Sequence, residues 1–274
     1  MIAVIGATGN VGRPLVHALV SAGEEVVAIS RHATAGEIEH RVADLARPAT
    51  LGSALRGTEA MFLMVAGTGD ALDPGAIVGA AREAGVRRIV LLSSIGTRTR
   101  PAAVSHEPLR RFEAAVERSG MAWTVLRPGG FASNALGWVP GVRAERTVAA
   151  PFAEVGIPIV DPDDIAEVAA ASLRGDHGGR TYELTGPALV SPREQTRALS
   201  AAIAIPLHFV EQTRAEAAET WTRFMPAAIV ETTLDLLGRP NADELRISPD
   251  IEKVLGRPPR PFAVWASRNA AAYR

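Results

Sequence analysis

Three glycines near the start carry the first chemical signal. In "VIGATGNVGRPL", Gly6, Gly9 and Gly12 stand three residues apart, after an apolar run and at the opening of a helical pattern. Glycine lets the backbone turn tightly and approach a pyrophosphate, whose charge then faces the helix N-terminus. The glycine pattern alone is weak; in strand–turn–helix context it becomes specific. About 20 residues further on, such loops place an acid on the ribose 2′-hydroxyl. Here the second strand ends in "VVAISRHA", with Ser30 and Arg31 and no carboxylate, while Glu24 and Glu25 lie at its other end. A hydroxyl and a guanidinium match a 2′-phosphate, which Arg grips through two N–H groups. The expected cofactor is NADP(H).

A second constellation follows. "RRIVLLSSIG" ends an apolar run in Ser93 and Ser94, and "VSHEPLRRFEAAVE" then places His106 and Arg110 one helical turn apart. An imidazole titrating near ~6.5 could give a proton to a developing alkoxide, with Arg110 orienting an anion or the substrate. Alternatively no strong acid is needed. A quinone that accepts hydride becomes a delocalised anion that water protonates, and His106, Ser94 or Asn134 then act through hydrogen-bond placement. A third reading makes His106, just before Pro108, a local cap or surface group at a helix start.

Composition narrows the classes. The 274 residues are 47% apolar and 22% charged with a formal net charge of −1, which describes an ordinary globular core. The balance argues against the basic surface that nucleic acid requires. Arg87–Arg88, Arg110–Arg111 and "RTR" at 98–100 read as solvated faces. With no Cys, disulfides, thiolate nucleophiles and Cys-bound metals are excluded. "MIAVIGATGN" is already strand and turn rather than a leader, and no apolar run reaches the ~18 residues of a membrane span. The expectation is a cytoplasmic protein without membrane or nucleic-acid partners.

The elements that must position these residues alternate. "IAVIG", "EEVVAIS", "AMFLMVA", "RRIVLLSS" and "MAWTVLR" are strand-like, and the segments between several of them have helical spacing and end at a Gly. The expected class is α/β, with a parallel sheet covered on both faces and ligands beyond the carboxyl ends of its strands. That rule lines up Gly6–Gly12, Ser30–Arg31, Ala66–Thr68, Ser93–Ser94 and Pro128–Phe131. Further on, "VDPDDIAEVAAASL" is a helix capped by Asp161, and "SPREQTRALSAAI" has Ser191 and Glu194 as a capping box. Capping accounts for Asp161, Asp163 and Asp164 without a metal. "RTYELTG" predicts a strand and "PLHFVEQ" another; residues 187–256 are mostly helical. The Pro-rich tail fits a docked arm or a disordered end.

Together these residues resemble a known family. "GATGNVG", the "SR" after the second strand, "VADL" at 42–45 and "VRRIVLLSSIG" are similar to atypical short-chain dehydrogenase/reductases. "SGMAWTVLRPGGFASN", "DPDDIAEVAAASL" and "YELTGP" point to the NmrA-like branch, and the resemblance spans roughly residues 1–210. It implies a Rossmann-type doubly wound sheet with a smaller, mostly helical C-terminal lobe. The NADP-binding domain would be 1–150, with a segment at about 155–186 returning to the sheet, and 187–274 the substrate-binding lobe. By resemblance, Gly6, Thr8, Gly9, Asn10, Val11 and Gly12 hold the pyrophosphate, and Arg31 takes the 2′-phosphate. Asp44 and Leu45 border the adenine, Ala66, Gly67 and Thr68 lie near the nicotinamide ribose, and Pro128 to Phe131 lie near the nicotinamide.

The wider class donates its proton from a Tyr-x-x-x-Lys pair. This chain has only Tyr182 and Tyr273, and its single lysine, Lys253, is far from both in sequence. The family includes NADPH-dependent quinone and azo-dye reductases, aromatic polyketide tailoring enzymes, and regulators that bind the dinucleotide without turnover. The reading adopted is a reductase delivering hydride to a quinone or related aromatic acceptor. A non-catalytic NADP(H) sensor with a protein partner, and a polyketide tailoring reductase or coupling enzyme, are the alternatives. Phe131, Trp138, Trp221, Phe224 and Met225 are candidates for an aromatic substrate wall. A homodimer is left open.

Overall fold

Short, continuously apolar runs make strands when both of their faces are covered. The computed structural model describes residues 1–32, 38–65 and 67–274. Its strands are β1 (Ile2–Ile5), β2 (Val26–Ser30), β3 (Glu39–Val42), β4 (Ala60–Met64), β5 (Arg88–Leu92), β6 (Ala122–Pro128), β7 (Thr147–Pro151), β8 (Arg180–Leu184) and β9 (His208–Gln212). Its helices are α1 (Gly12–Ser21), α2 (Leu51–Ala54), α3 (Pro74–Glu83), α4 (Gly96–Thr99), α5 (Glu107–Glu117) and α6 (Val139–Glu145). The remaining helices are α7 (Pro162–Arg174), α8 (Pro192–Ile203), α9 (Arg214–Trp221), α10 (Ala227–Gly238), α11 (Asp250–Leu255) and α12 (Phe262–Arg268).

Seven strands form one parallel sheet in the order β3-β2-β1-β4-β5-β6-β8. The chain runs outward from β1 to β3 and then returns to β4 beside β1. This reversal opens a crevice above the carboxyl ends of β1 and β4, where α/β sheets bind ligands. Alternate strand residues cover opposite faces. Val4, Ala28, Phe62 and Val90 pack on Leu15 and Leu19 of α1 and on Ile165, Val168 and Ala169 of α7. Ala3, Ile5, Val27, Met61 and Leu91 pack on Ile77 and Ala81 of α3 and on Phe112 and Val116 of α5. The α/β doubly wound expectation holds.

A third core lies off the sheet. Ala135, Val142, Val148, Leu199, Ile203, Phe262, Trp265 and Tyr273 draw together the two-stranded β7–β9 ribbon, α6, α8 and α12. The chain crosses between sheet and lobe more than once. Residues 132–151 pack in the lobe, α7 and β8 lie on the sheet, and α11 sends Ile251 back into the sheet core.

The caps form as their sequences imply. The Asp161 carboxylate accepts the Asp163 N–H, and Ser191 and Glu194 cap each other reciprocally. The acidic start of α7 also receives the tail. Arg257 and Arg260 both pair with the fully buried Asp164 and with Glu167, and Arg268 pairs with Asp161 and Asp163. The tail ends in a buried Tyr273 whose hydroxyl donates to the Ala135 carbonyl at 2.8 Å. The arm is docked. No helix among the described residues is long and apolar enough to cross a membrane.

Candidate active site

The glycine turn has the shape of a phosphate cradle. Gly6 adopts φ +79°, a conformation side chains resist, and the Gly9 N–H donates to the Gly6 carbonyl at 3.0 Å. A Cβ on Gly12 would run into that same carbonyl, so only glycine lets α1 start this close to β1. The helix begins on Val11 without a side-chain cap and with no carboxylate in its first turn. Its positive end therefore lies at the glycine turn, a fit for a pyrophosphate. Asn10 Nδ2 donates to Ser133 Oγ at 3.2 Å, tying the loop to the segment after β6. Ser133, which the sequence does not single out, is buried here, whereas its neighbour Asn134 is exposed.

At the adenosine end, Arg31 is exposed directly after β2. Ser30 is already engaged, with its Oγ 2.7 Å from the His32 carbonyl and 2.9 Å from His40 Nε2. The Asp44 carboxylate accepts the Ala46 N–H at 3.0 Å and pairs with Arg47 at 3.4 Å. Leu45 is partly buried against the α2–α3 face of the sheet. Thr8 is exposed, and its carbonyl accepts from Arg13 at 3.2 Å. Beyond β4, Gly67 turns with φ +72° and Thr68 Oγ1 accepts the Asp70 N–H at 3.4 Å. Ala66 lies outside the described residues.

The two serines after β5 have different fates. Ser93 is buried and donates to Glu113 at 2.5 Å, and the Thr97 hydroxyl lies 2.9 Å from the same oxygen and 2.8 Å from the Ser94 carbonyl, sharing its one proton between them. Arg127 completes this closed network with two hydrogen bonds to Glu113, at 3.0 and 2.7 Å. Ser94 is half-buried and accepts the Gly96 N–H at 3.2 Å, which leaves its hydroxyl able to donate toward a ligand. Gly96 in turn faces His106, since a Cβ there would strike His106 Nε2.

The hydroxyls around His106 determine its protonation pattern. Thr232 Oγ1 lies 2.9 Å from the Ala228 carbonyl, Ser105 Oγ lies 3.0 Å from Thr232 Oγ1, and His106 Nδ1 lies 3.3 Å from Ser105 Oγ. A carbonyl only accepts, so the Thr232 proton points to Ala228 and the Ser105 proton to Thr232. That pattern fits an imidazole donating from Nδ1 to Ser105. Its neutral form therefore carries a bare Nε2, an acceptor. Burial holds its pKa below the ordinary 6.5; Arg110 and Arg100 push the same way and Glu244 opposes them.

Other expectations are corrected. Arg110 is not left free to orient a ligand with its whole guanidinium; it pairs with Glu107 at 2.8 Å and the Ala103 carbonyl at 3.0 Å, and Nη1 is buried without a partner among the described residues. The "RTR" run is not a solvated face. Arg98 pairs with Glu183 at 2.5 Å and Asp243 at 2.9 Å, and Arg100 pairs with the buried Glu244 at 2.7 Å, anchoring the lobe to α4. Tyr182 bonds His177 at 2.7 Å, and Lys253 pairs with Asp250 at 3.4 Å, so neither joins His106.

Among the aromatics, Phe131 packs beside the sheet core and bridges to Val160, after Pro128, which is buried at the end of β6. Trp138 is partly buried in the lobe core. Trp221 and Met225 fill the α9–α10 hairpin, whereas Phe224 is 69% exposed.

A family model described as NAD(P)H-binding matches residues 6–176. The chain is 35% identical over 285 residues to (4-alkanoyl-5-oxo-2,5-dihydrofuran-3-yl)methyl phosphate reductase of Streptomyces griseus subsp. griseus, across 100% of this chain and 99% of that one. It is 32% identical over 283 residues to an NAD(P)H azoreductase of Xenophilus azovorans, with 100% and 99% covered. The structure of an NADPH-dependent quinone oxidoreductase from Escherichia coli, complexed with NADPH, shares the fold. The TM-score is 0.81 at 23% identity, over 98% of this chain and 99% of that one.

Proposed function

The chain belongs to the NAD(P)H-binding family, and from that footing we propose that it is an NADPH-dependent reductase acting on a quinone or related aromatic acceptor. The feature that supports this reading is the hydroxyl chain Thr232–Ser105–His106, whose spacing fits donation from His106 Nδ1. An imidazole that presents a bare Nε2, with its pKa depressed, is poorly suited to protonating an alkoxide. It suits acceptors whose reduced form is delocalised and takes its proton from water.

Gly6, Thr8, Gly9, Asn10, Val11 and Gly12 hold the pyrophosphate, and Arg31 takes the 2′-phosphate. Asp44 and Leu45 border the adenine; Gly67 and Thr68 lie by the nicotinamide ribose. When bound, the reduced dinucleotide supplies a hydride. Ser94 donates its hydroxyl to the oxygen or nitrogen of the acceptor, and His106 Nε2 accepts from an O–H or N–H on the ligand. Pro128 and Phe131 provide the apolar wall.

The Streptomyces relative is named for a phosphate-bearing substrate. In this chain Arg98 of α4 and Arg100 just after it are already neutralised, by Glu183, Asp243 and Glu244, which supports an uncharged acceptor here. Turnover with a quinone at saturating NADPH, followed across roughly pH 6 to 9 in the wild type and in His106→Ala, tests the role of His106. We expect the same flat profile in both. A wild-type rate that falls with rising pH through one ionisation, and loses that ionisation in His106→Ala, would make His106 the acid.

A further inference from the structure

At the adenosine end, β2 and β3 place a histidine beneath the turn that carries Arg31. Ala28 is in register with His40 and Ser30 with Val42, so Ser30 and His40 share the sheet face that Ala28 buries against α1. Ser30 Oγ is 2.7 Å from the His32 carbonyl and 2.9 Å from His40 Nε2. The hydroxyl has one proton and the carbonyl can only accept it, so Ser30 donates to His32. His40 must therefore donate from Nε2. Its other nitrogen, Nδ1, is buried without a partner among the described residues.

This relay changes the part Ser30 can play. Its proton is directed at the backbone, so it does not donate to a phosphate; it fixes the carbonyl of the residue that follows Arg31. Without the N–H of His40, the Ser30 oxygen loses the donor that orients it. We propose that His40 is a positioning residue for cofactor discrimination, holding the Arg31–His32 turn through Ser30 so that Arg31 meets the 2′-phosphate. The inference rests on the reading that Arg31 takes that phosphate. NADH lacks the group and gains nothing from the turn.

The test is equilibrium binding of NADPH and NADH, followed by calorimetry or cofactor fluorescence, in the wild type, His40→Leu, His40→Gln and Arg31→Ala. Loss of one oriented contact predicts that His40→Leu binds NADPH about tenfold more weakly and leaves NADH within about twofold. His40→Gln, whose amide donates from a similar position, keeps most of the preference. A His40→Leu variant that weakens both cofactors equally or neither, or a His40→Gln variant no better than His40→Leu, overturns the role of His40. The Arg31 reading still stands if Arg31→Ala abolishes the NADPH preference. A wild type without that preference, or one that Arg31→Ala leaves unchanged, overturns both.

Discussion

His106 is joined to Thr232 through Ser105 by hydroxyls whose protons each have one place to go. The same accounting at Ser30 sets the proton of His40. Two histidines that look alike in sequence thus present opposite nitrogens, one bare at Nε2 and one protonated there. The depressed pKa of His106, caused first by burial and then by Arg110, also has a consequence for folding. As the pH falls, the unfolded chain binds this proton before the folded one does. Stability attributable to His106 is complete above the unfolded value of about 6.5, declines below it, and levels off once the pH is under the folded value. Denaturation midpoints measured at about pH 7.5 and 5.0 should fall less in His106→Gln than in the wild type. Equal falls in the two proteins would remove His106 from the account.

At the scale of elements, the start of α7 shows how one acidic cluster serves two ends. Asp161 caps the helix, while Asp164, fully buried, receives two arginines from the tail. Asp164→Ala should cost about 2–3 kcal/mol in urea denaturation. That is less than an isolated buried charge would cost, because Arg257 and Arg260 keep Glu167 and some water. A loss no larger than the ~0.5 kcal/mol of an ordinary surface pair would mean that the tail docks by its apolar residues alone. Caps and strands were legible because their causes are local: Asp161 lies two residues from the N–H it binds, and Ser191 three from its partner. The relays were not legible. Ser105 and Thr232 stand 127 positions apart, and Asn10 and Ser133 stand 123 apart, so only the fold brings them together. Arg98 meets Asp243 across 145 positions, which is why the "RTR" run read as solvated. The glycine turn was legible in full, whereas the aromatic wall was not, because ring spacing does not say which side of a helix pair faces a cleft.

For the whole molecule, the lobe is held to the sheet edge by α4. Arg98 and Arg100 bond Asp243 and Glu244, and Asn241 donates to the Thr99 carbonyl at 3.1 Å. The helix that bears these anchors begins at Gly96, against which His106 rests, and α10 reaches His106 through Thr232. The lobe is therefore bonded to the His106 segment as well as to the sheet edge. Its charges are internally matched there, Arg98 and Arg100 with Asp243, Glu183 and Glu244. The account stands most directly on one measurement: NADPH consumption by the purified protein with a small panel of quinones, an azo dye and simple ketones. The account predicts many turnovers with the quinones or the dye and little or none with the ketones. Tight NADPH binding with no acceptor consumed, or ketones reduced as fast as quinones, would contradict it.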